Sequence, residues 1–248
     1  MYSPIELSNK NIIVTGAGSG IGRETSHILS KLGATVIMFD VNADGLSETA
    51  CIAGEHCASF TIDLTDRLVI AETVPLIVEQ YGKLDGLVHC AGISSRKPLN
   101  VLSKEGFSKV MDVNFYSFVE LVKQCAKKKN INEGASIVVM SSISSVRGYK
   151  AKTEYCVSKA AVDAFVRCMA LELADRRIRV NSVMAAEVLT PLALEARNMN
   201  AAVGASEFNA PLGPSEPYEV ANTIAFLLSD ATKTITGTSL LIDGGACI

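Results

Sequence analysis

Tyr155 and Lys159 stand four positions apart in TEYCVSK, residues 153–159. On a helix this spacing puts both side chains on one face, a turn apart. A free phenol titrates near pH ~10, poorly matched to proton transfer at neutral pH. A neighbouring ammonium favours the phenolate and brings that value down. The pair reads as a proton donor and its tuner, or simply as a helix face that carries a Tyr and a Lys. A second chemical signature is TGAGSGIG, residues 15–22, between a short apolar run and a helix-period segment. Glycines 16, 20 and 22 let the chain turn tightly, approach a pyrophosphate and pack the helix on the strand. The phosphates would meet the free N–H groups of the helix N-terminus. Asp40 follows 18 residues after Gly22, at the end of the second apolar run. A carboxylate there accepts hydrogen bonds from ribose hydroxyls and repels a 2′-phosphate. Val41, Asn42 and Ala43 supply no cation, Ser19 fills a loop position that could have held one, and Arg23 is the only basic residue close by. NAD(H) is therefore favoured over NADP(H), unless Asp40 is an ordinary turn residue.

Positioning these groups requires alternating strands and helices. Strand candidates are Asn11–Thr15, Thr35–Asp40, Ser59–Asp63, Gly86–Cys90, Ser136–Met140, Arg179–Met184 and Ser239–Asp243. Helical stretches lie near 20–32, 43–53, 66–81, 104–130, 154–175 and 217–229. The alternation predicts right-handed βαβ crossovers and a parallel sheet with helices on both faces. Most strands are apolar throughout, as burial of both faces demands. One domain, 1–248, is expected, with 187–216 a long, partly helical excursion that forms a substrate-side loop or a mere insertion.

Composition narrows the function classes. Apolar residues make up 48% of the 248, enough for a large core, and the net charge of −3 gives no reason to expect nucleic acid or an anionic membrane. No apolar run approaches the ~18 residues of a membrane span, and the N-terminus lacks a secretory pattern. Seven cysteines without a CxxC pair and three histidines provide no metal spacing. A reduced, cytoplasmic protein without a metal is expected. Lys127–Lys129 reads as a solvated helix end.

The whole ordered series resembles the short-chain dehydrogenase/reductase family in its single-domain form. It comprises T-G-x-x-x-G-x-G, Asp63, Ala91-Gly92, Asn114 in DVNF, Ser142, Tyr155-x-x-x-Lys159, RVNSV at 179–183 and the stretch 211–245. The resemblance implies an α/β, doubly wound Rossmann-type fold with a seven-stranded parallel sheet. It implies hydride exchange between a nicotinamide and a secondary alcohol or ketone, as in 3-oxoacyl-(acyl-carrier-protein) reductases and sugar or polyol dehydrogenases. Tyr155 becomes the acid/base, Lys159 its tuner and a holder of the nicotinamide ribose, and Ser142, 13 residues upstream, a donor to the reacting oxygen. Ser141 and Ser144 are alternatives as turn formers. Asn114 is implied to hold a water linking Lys159 to solvent, although alone it is equally a helix bend. Gly16, Ser19, Gly20 and Ile21 would line the phosphate turn, Asp40 the ribose, and Asp63 with Leu64 the adenine. Cys90, Ala91 and Gly92 would pass beneath the ribose, and Val188 and Thr190 reach the carboxamide. Asp63 would serve equally as a helix N-cap.

Departures from the family pattern matter. His89 and Cys90 stand where Asn-Asn is usual, and read as a hydrogen-bonded core histidine and a small buried hydrophobe. Ala185-Ala186 replaces the usual Pro-Gly and leaves the backbone of the nicotinamide pocket in question. It also motivates a competing reading, a non-catalytic NAD-binding scaffold or redox sensor. A sugar-nucleotide epimerase is disfavoured because no second substrate domain follows. Ala170-Leu171-Glu172 lacks the arginine common in carrier-protein reductases, so Lys128 and Lys129 are the recognisable half of a docking surface. Ser94, Ser95, Arg96, Arg147 and Tyr149 are candidates for substrate contact, the arginines fitting an anionic or polar substrate or else solvated loops. Helix 154–175 looks apolar nearly all round, which predicts burial against a symmetry mate and a homotetramer or homodimer.

Overall fold

The computed structural model describes residues 5–195 and 210–248. Seven parallel strands form one sheet in the order β3-β2-β1-β4-β5-β6-β7. They are β1 Asn11–Thr15, β2 Thr35–Asp40, β3 Cys57–Thr61, β4 Leu84–His89, β5 Ile131–Ser142, β6 Arg179–Ala185 and β7 Ser239–Ile242. Helices α1 Gly20–Lys31, α2 Ala43–Ala53, α3 Arg67–Tyr81, α4 Lys104–Met111, α5 Ser117–Cys125, α6 Thr153–Glu172 and α7 Pro217–Leu228 connect them.

Alternate strand residues feed two cores. Ile13, Ile37, Phe39, Leu87, Ile137 and Val139 pack with α3, α5 and α6 residues such as Ile70, Phe118 and Val162. Ile12, Val14, Val36, Met38, Val88 and Val138 pack on the other side with Leu29 of α1 and Ile224 of α7. Each of these central strands is therefore apolar on both faces, and a register slip of one residue would exchange its two face sets. The strand order reverses between β1, which also pairs with β2, and its other neighbour β4. A crevice opens at the carboxyl ends of strands flanking such a switch.

Several boundaries differ from expectation. β3 begins at Cys57 and stops at Thr61, because the apolar Ile62 and Leu64 that suggested a later strand turn into the core beyond its end. β4 starts at Leu84, and β5 starts five residues early because Leu84 pairs with Ile131 across an irregularity before the register settles at Gly86–Ser136. The single helix predicted over 104–130 is two helices joined by a π-helical turn, Asp112–Tyr116. α5 ends at Cys125, so Lys127–Lys129 lie past the helix rather than on it.

Candidate active site

α6 delivers Tyr155 and Lys159 to the carboxyl ends of β4, β5 and β6. They line one cavity of about 380 Å³ together with Ser142, Cys90, Gly92, Ile21, Val188 and Thr190. Ser142 is the last residue of β5; its side chain accepts from the Ser144 amide at 3.1 Å and lies close enough to the Tyr155 hydroxyl to lower its pKa. Ser144 is thus the turn residue, and Ser142 the one presented to Tyr155. Lys159 is buried, and its Nζ donates to the Met140 carbonyl at 2.8 Å, lying 5.7 Å from the centre of the Tyr155 ring.

The electrostatics depart from expectation. Burial pushes the Tyr155 phenol up to about 12, against a smaller lowering by Ser142. Burial also draws Lys159 down to about 8, opposed by Asp163 and Cys90. Desolvation of both groups outweighs the lowering expected from their proximity, because the ammonium faces the Met140 carbonyl and the ring rather than the phenolic oxygen. Tyr155 is held neutral, as a proton donor.

Asn114 occupies the π-turn, a distortion that recurs at functional sites. Its Oδ1 accepts from the Ile93 amide at 2.8 Å, and its Nδ2 donates to the Ile93 carbonyl and Ser158 Oγ, both at 3.0 Å. Ser158 Oγ in turn donates to the Tyr155 carbonyl at 2.8 Å. The fully buried amide therefore ties the loop after β4 to α6. The second lone pair of Oδ1 remains, beside a gap where a Cβ on Gly92 would lie 3.3 Å from Oδ1 and 3.7 Å from Lys159 Nζ.

His89 supports this end of the sheet. Ser117 Oγ donates to the Val113 carbonyl at 2.6 Å, which leaves it to accept from His89 Nε2 at 3.3 Å. Nδ1 then accepts from the Thr15 hydroxyl at 2.9 Å, and Thr15 Oγ1 accepts from the Ala91 amide at 3.2 Å. Burial, with Lys159 adding, lowers His89 to about 3, so it is a neutral core histidine. Burial likewise raises the Cys90 thiol to about 12, although Cys90 also lines the cavity.

The glycine turn fits a dinucleotide. A Cβ on Gly16 would come within 2.8 Å of the Ala91 amide nitrogen, and one on Gly22 within 2.1 Å of the Gly16 carbonyl. Only glycine permits this approach of turn, helix and neighbouring strand end. Ser19 is the exposed N-cap of α1 and makes no side-chain cap, so the first-turn donors are not consumed by it. Asp40 accepts from the Gly18 amide through Oδ2 and from the Asn42 amide through Oδ1, both at 2.9 Å. Arg23 is already spent on the Gly18 carbonyl, Thr49 and, at 2.7 Å, Glu48. Thr190 lies over the turn, 3.2 Å from where a Gly20 Cβ would be.

Asp63 and Leu64 stand apart from this cavity. Asp63 is exposed and accepts from the Thr65 amide and hydroxyl, while Leu64 is buried in the core. The N-cap of α3 is Asp66, not Asp63. Ala185 and Ala186 both line the cavity, and the Ala186 amide donates to the Ile242 carbonyl at 2.9 Å. Ala186 is not among the residues at positive φ, so the missing glycine conformation is not required. The substrate-side excursion is rooted by a Val188–Ser215 bridge; its residues 196–209 lie outside those described. α6 is not apolar all round: Glu154, Lys159 and Asp163 lie on its buried side, while Leu171 is 81% exposed.

Sequence reasoning found Ser94, Arg96, Arg147 and Tyr149 at the cavity wall but missed Lys152, Glu187 and Ser141. Lys152 carried a signal, since it precedes Tyr155 by three positions, one turn away on the same face. Ser158, the partner of Asn114, carried none.

Comparison with known proteins agrees with this geometry. Residues 16–247 match the family model described as enoyl-(acyl carrier protein) reductase. The chain is 34% identical over 248 residues to a 3-oxoacyl-(acyl-carrier-protein) reductase of Thermotoga maritima, covering 98% of this chain and all of that one. It is 31% identical to an NAD-dependent glycerol dehydrogenase of Listeria innocua, over 98% of this chain and 95% of the relative. Among solved structures, a short-chain dehydrogenase/reductase of Brucella melitensis superposes with a TM-score of 0.89 at 29% identity, covering 98% of both chains. Together with the crevice, the glycine turn and the Ser142–Tyr155–Lys159 constellation, these matches establish that the chain belongs to the short-chain dehydrogenase/reductase family of oxidoreductases acting on alcohol and keto groups.

Proposed function

We propose that this protein is an NAD(H)-preferring dehydrogenase that interconverts a secondary alcohol and a ketone at the cavity beneath α6. The observation that carries the reading is the neutral Tyr155 phenol, gathered with Ser142 and Lys159 at the wall of one cavity. When bound, NAD(H) supplies or accepts the hydride. Gly16, Gly20 and Ile21 would seat its phosphates with Ser19, and Asp40 its adenosine ribose. Asp63 and Leu64 would border the adenine, Cys90, Ala91 and Gly92 the ribose floor, and Val188 and Thr190 the carboxamide. Arg23, the basic residue close to Asp40 in sequence, is committed to Gly18 and Glu48 rather than free for a 2′-phosphate, which supports the NAD preference.

In reduction, Ser142 orients the substrate oxygen and Tyr155 Oη gives up its proton as negative charge develops there. Lys159 stabilises the resulting phenolate and holds the nicotinamide ribose. The remaining Asn114 lone pair anchors a water that returns a proton through Lys159. In oxidation the steps reverse: the Tyr155 proton leaves through Lys159 and the water, and Tyr155 Oη then takes the alcohol proton.

The 3-oxoacyl reductase reading draws on the Thermotoga relative, and the polyol reading on the Listeria one. We propose a single domain and a homotetramer, with exposed Val157 and Leu171 of α6 and Leu241 on the edge strand β7 as contact surfaces. Among the described residues no helix is long and apolar enough to cross a membrane, and a cytoplasmic location accords with the unpaired cysteines.

The test is NADH oxidation with a panel of ketones, wild type beside Tyr155→Phe. A fall in kcat/KM of about 10²–10⁴ is expected on loss of the acid. Undiminished turnover in Tyr155→Phe would overturn the mechanism, and NADH binding without turnover of any ketone or alcohol would favour the scaffold reading.

A further inference from the structure

The cavity carries more positive charge than a neutral ketone requires. Beyond Lys159, its wall presents Arg96, Arg147 and Lys152, against Glu187 as the one carboxylate among the described lining residues. Two donors in this wall, Arg96 Nε and Tyr149 Oη, are buried without a hydrogen-bond partner among the described residues. Buried donors are normally paired, and here the described residues bring nothing to them.

Two loops are fastened together to hold this cluster. The Lys97 amide donates to the Ala151 carbonyl at 2.7 Å, and Arg96 Nη1 reaches the Lys150 carbonyl at 3.4 Å. Glu154 is buried and accepts from the Ser95 hydroxyl, with Lys97 Nζ 3.5 Å from its other oxygen. Ala151 is held at φ 61, a strained conformation for a residue with a Cβ that persists where surrounding contacts enforce it. Lys152 Nζ then lies 5.3 Å from the Tyr149 ring centre and 5.8 Å from that of Tyr155. Arg147 Cζ lies 5.6 Å from the same Tyr149 ring centre, and Arg147 Nη1 donates to the Ala246 carbonyl at 3.2 Å. Burial lowers the pKa of Arg96, and burial with Arg96 lowers that of Lys152, while Glu187 draws Lys152 back. Clustering like charges in a partly desolvated wall is unfavourable without a counter-ion, and an incoming anion relieves it.

We infer that the substrate carries a compact oxyanion, a carboxylate or a phosphate, a few bonds from the reacting carbonyl, and that Arg96, Lys152 and the Tyr149 hydroxyl bind it. This rests on the dehydrogenase reading for the position of the carbonyl at Tyr155. It separates the site from one built for a neutral polyol.

The test is calorimetric titration of the protein saturated with NAD⁺, in which a ketone binds without being reduced. Acetoacetate is compared with acetoacetamide, and dihydroxyacetone phosphate with dihydroxyacetone. At least one anion is expected to bind about tenfold or more tightly than its neutral partner, as charge-assisted hydrogen bonds provide. Which anion gains distinguishes carboxylate from phosphate. Arg96→Gln and Lys152→Gln should each erode that ratio, and Lys152→Arg should keep it. Equal affinity within both pairs, or an advantage that survives the Arg96→Gln/Lys152→Gln double variant, would overturn the inference; a cluster serving only Glu187 gives that result. Reduction of neutral ketones without anion preference defeats this inference alone. Anion binding that depends on Arg96 and Lys152, with no ketone reduced, supports it and defeats the dehydrogenase reading.

Discussion

At the scale of single residues, chemistry here is set by desolvation before it is set by proximity. Tyr155 and Lys159 were legible from their spacing, but the direction in which Tyr155 shifts was not. Spacing fixes which side chains are neighbours, whereas the shift depends on where the ammonium points, and it points at Met140. Asp40 was legible for a similar reason, since a strand end before a short loop can face only the glycine turn. Its carboxylate is also part of that turn, through the Gly18 amide. Asp40→Ala is expected to raise the KM for NADH by about 10- to 100-fold, the worth of hydrogen bonds to a charged group, and to erase the preference over NADPH. Steady-state kinetics with both nucleotides measure this; an unchanged KM ratio would leave Asp40 a turn residue only.

At the scale of elements, the π-turn at Asp112–Tyr116 is the feature that periodicity conceals. The stretch 104–130 keeps a helical pattern, and one extra residue in the backbone ladder leaves no mark on it. The residue that uses the turn, Asn114, was visible as a poor helix former. Its partner Ile93 was not, because a backbone amide has no signature in sequence. Removing the clamp with Asn114→Ala strands the Ile93 amide and carbonyl. A loss of about 1–3 kcal/mol in denaturant unfolding is expected, together with lower activity as the loop after β4 leaves α6. Asn114→Asp keeps the acceptor but not the two donations, and should fall between wild type and Ala in stability. The early start of β5 was hidden by Asn132, Glu133 and Gly134, which read as loop yet lie in the strand. Its register there is irregular, so local pattern and tertiary pairing disagree.

At the scale of the whole molecule, the parallel sheet could be anticipated from strand–helix alternation, but its strand order could not, and the crevice follows from where that order reverses. The RVNSV segment, by contrast, proves to brace the structure rather than the site. Arg179 donates to the Leu227 and Ser229 carbonyls, and the Asn181 side chain holds the Ile235 carbonyl and Thr238 amide. His89 ties global stability to pH. Its folded pKa of about 3 lies below the ordinary 6.5, so the unfolded chain binds more protons below pH 6.5. The stability it contributes is complete above 6.5 and declines as pH falls toward 3, by about 1.4 kcal/mol per unit. Urea unfolding between pH 7 and 4 should show this slope in wild type and a shallower one in His89→Asn, and an equal slope in both would contradict the assignment.

α6, the glycine turn and the cavity between them are proposed to form one site where hydride and proton move together. The most direct measurement of this is isotopic. With NADH carrying deuterium at both C4 positions and a ketone that the protein reduces, mass spectrometry of the alcohol should find one deuterium on the carbinol carbon, and product formation should collapse in Tyr155→Phe. Protium on that carbon, or labelled alcohol formed as fast by Tyr155→Phe, would contradict the account.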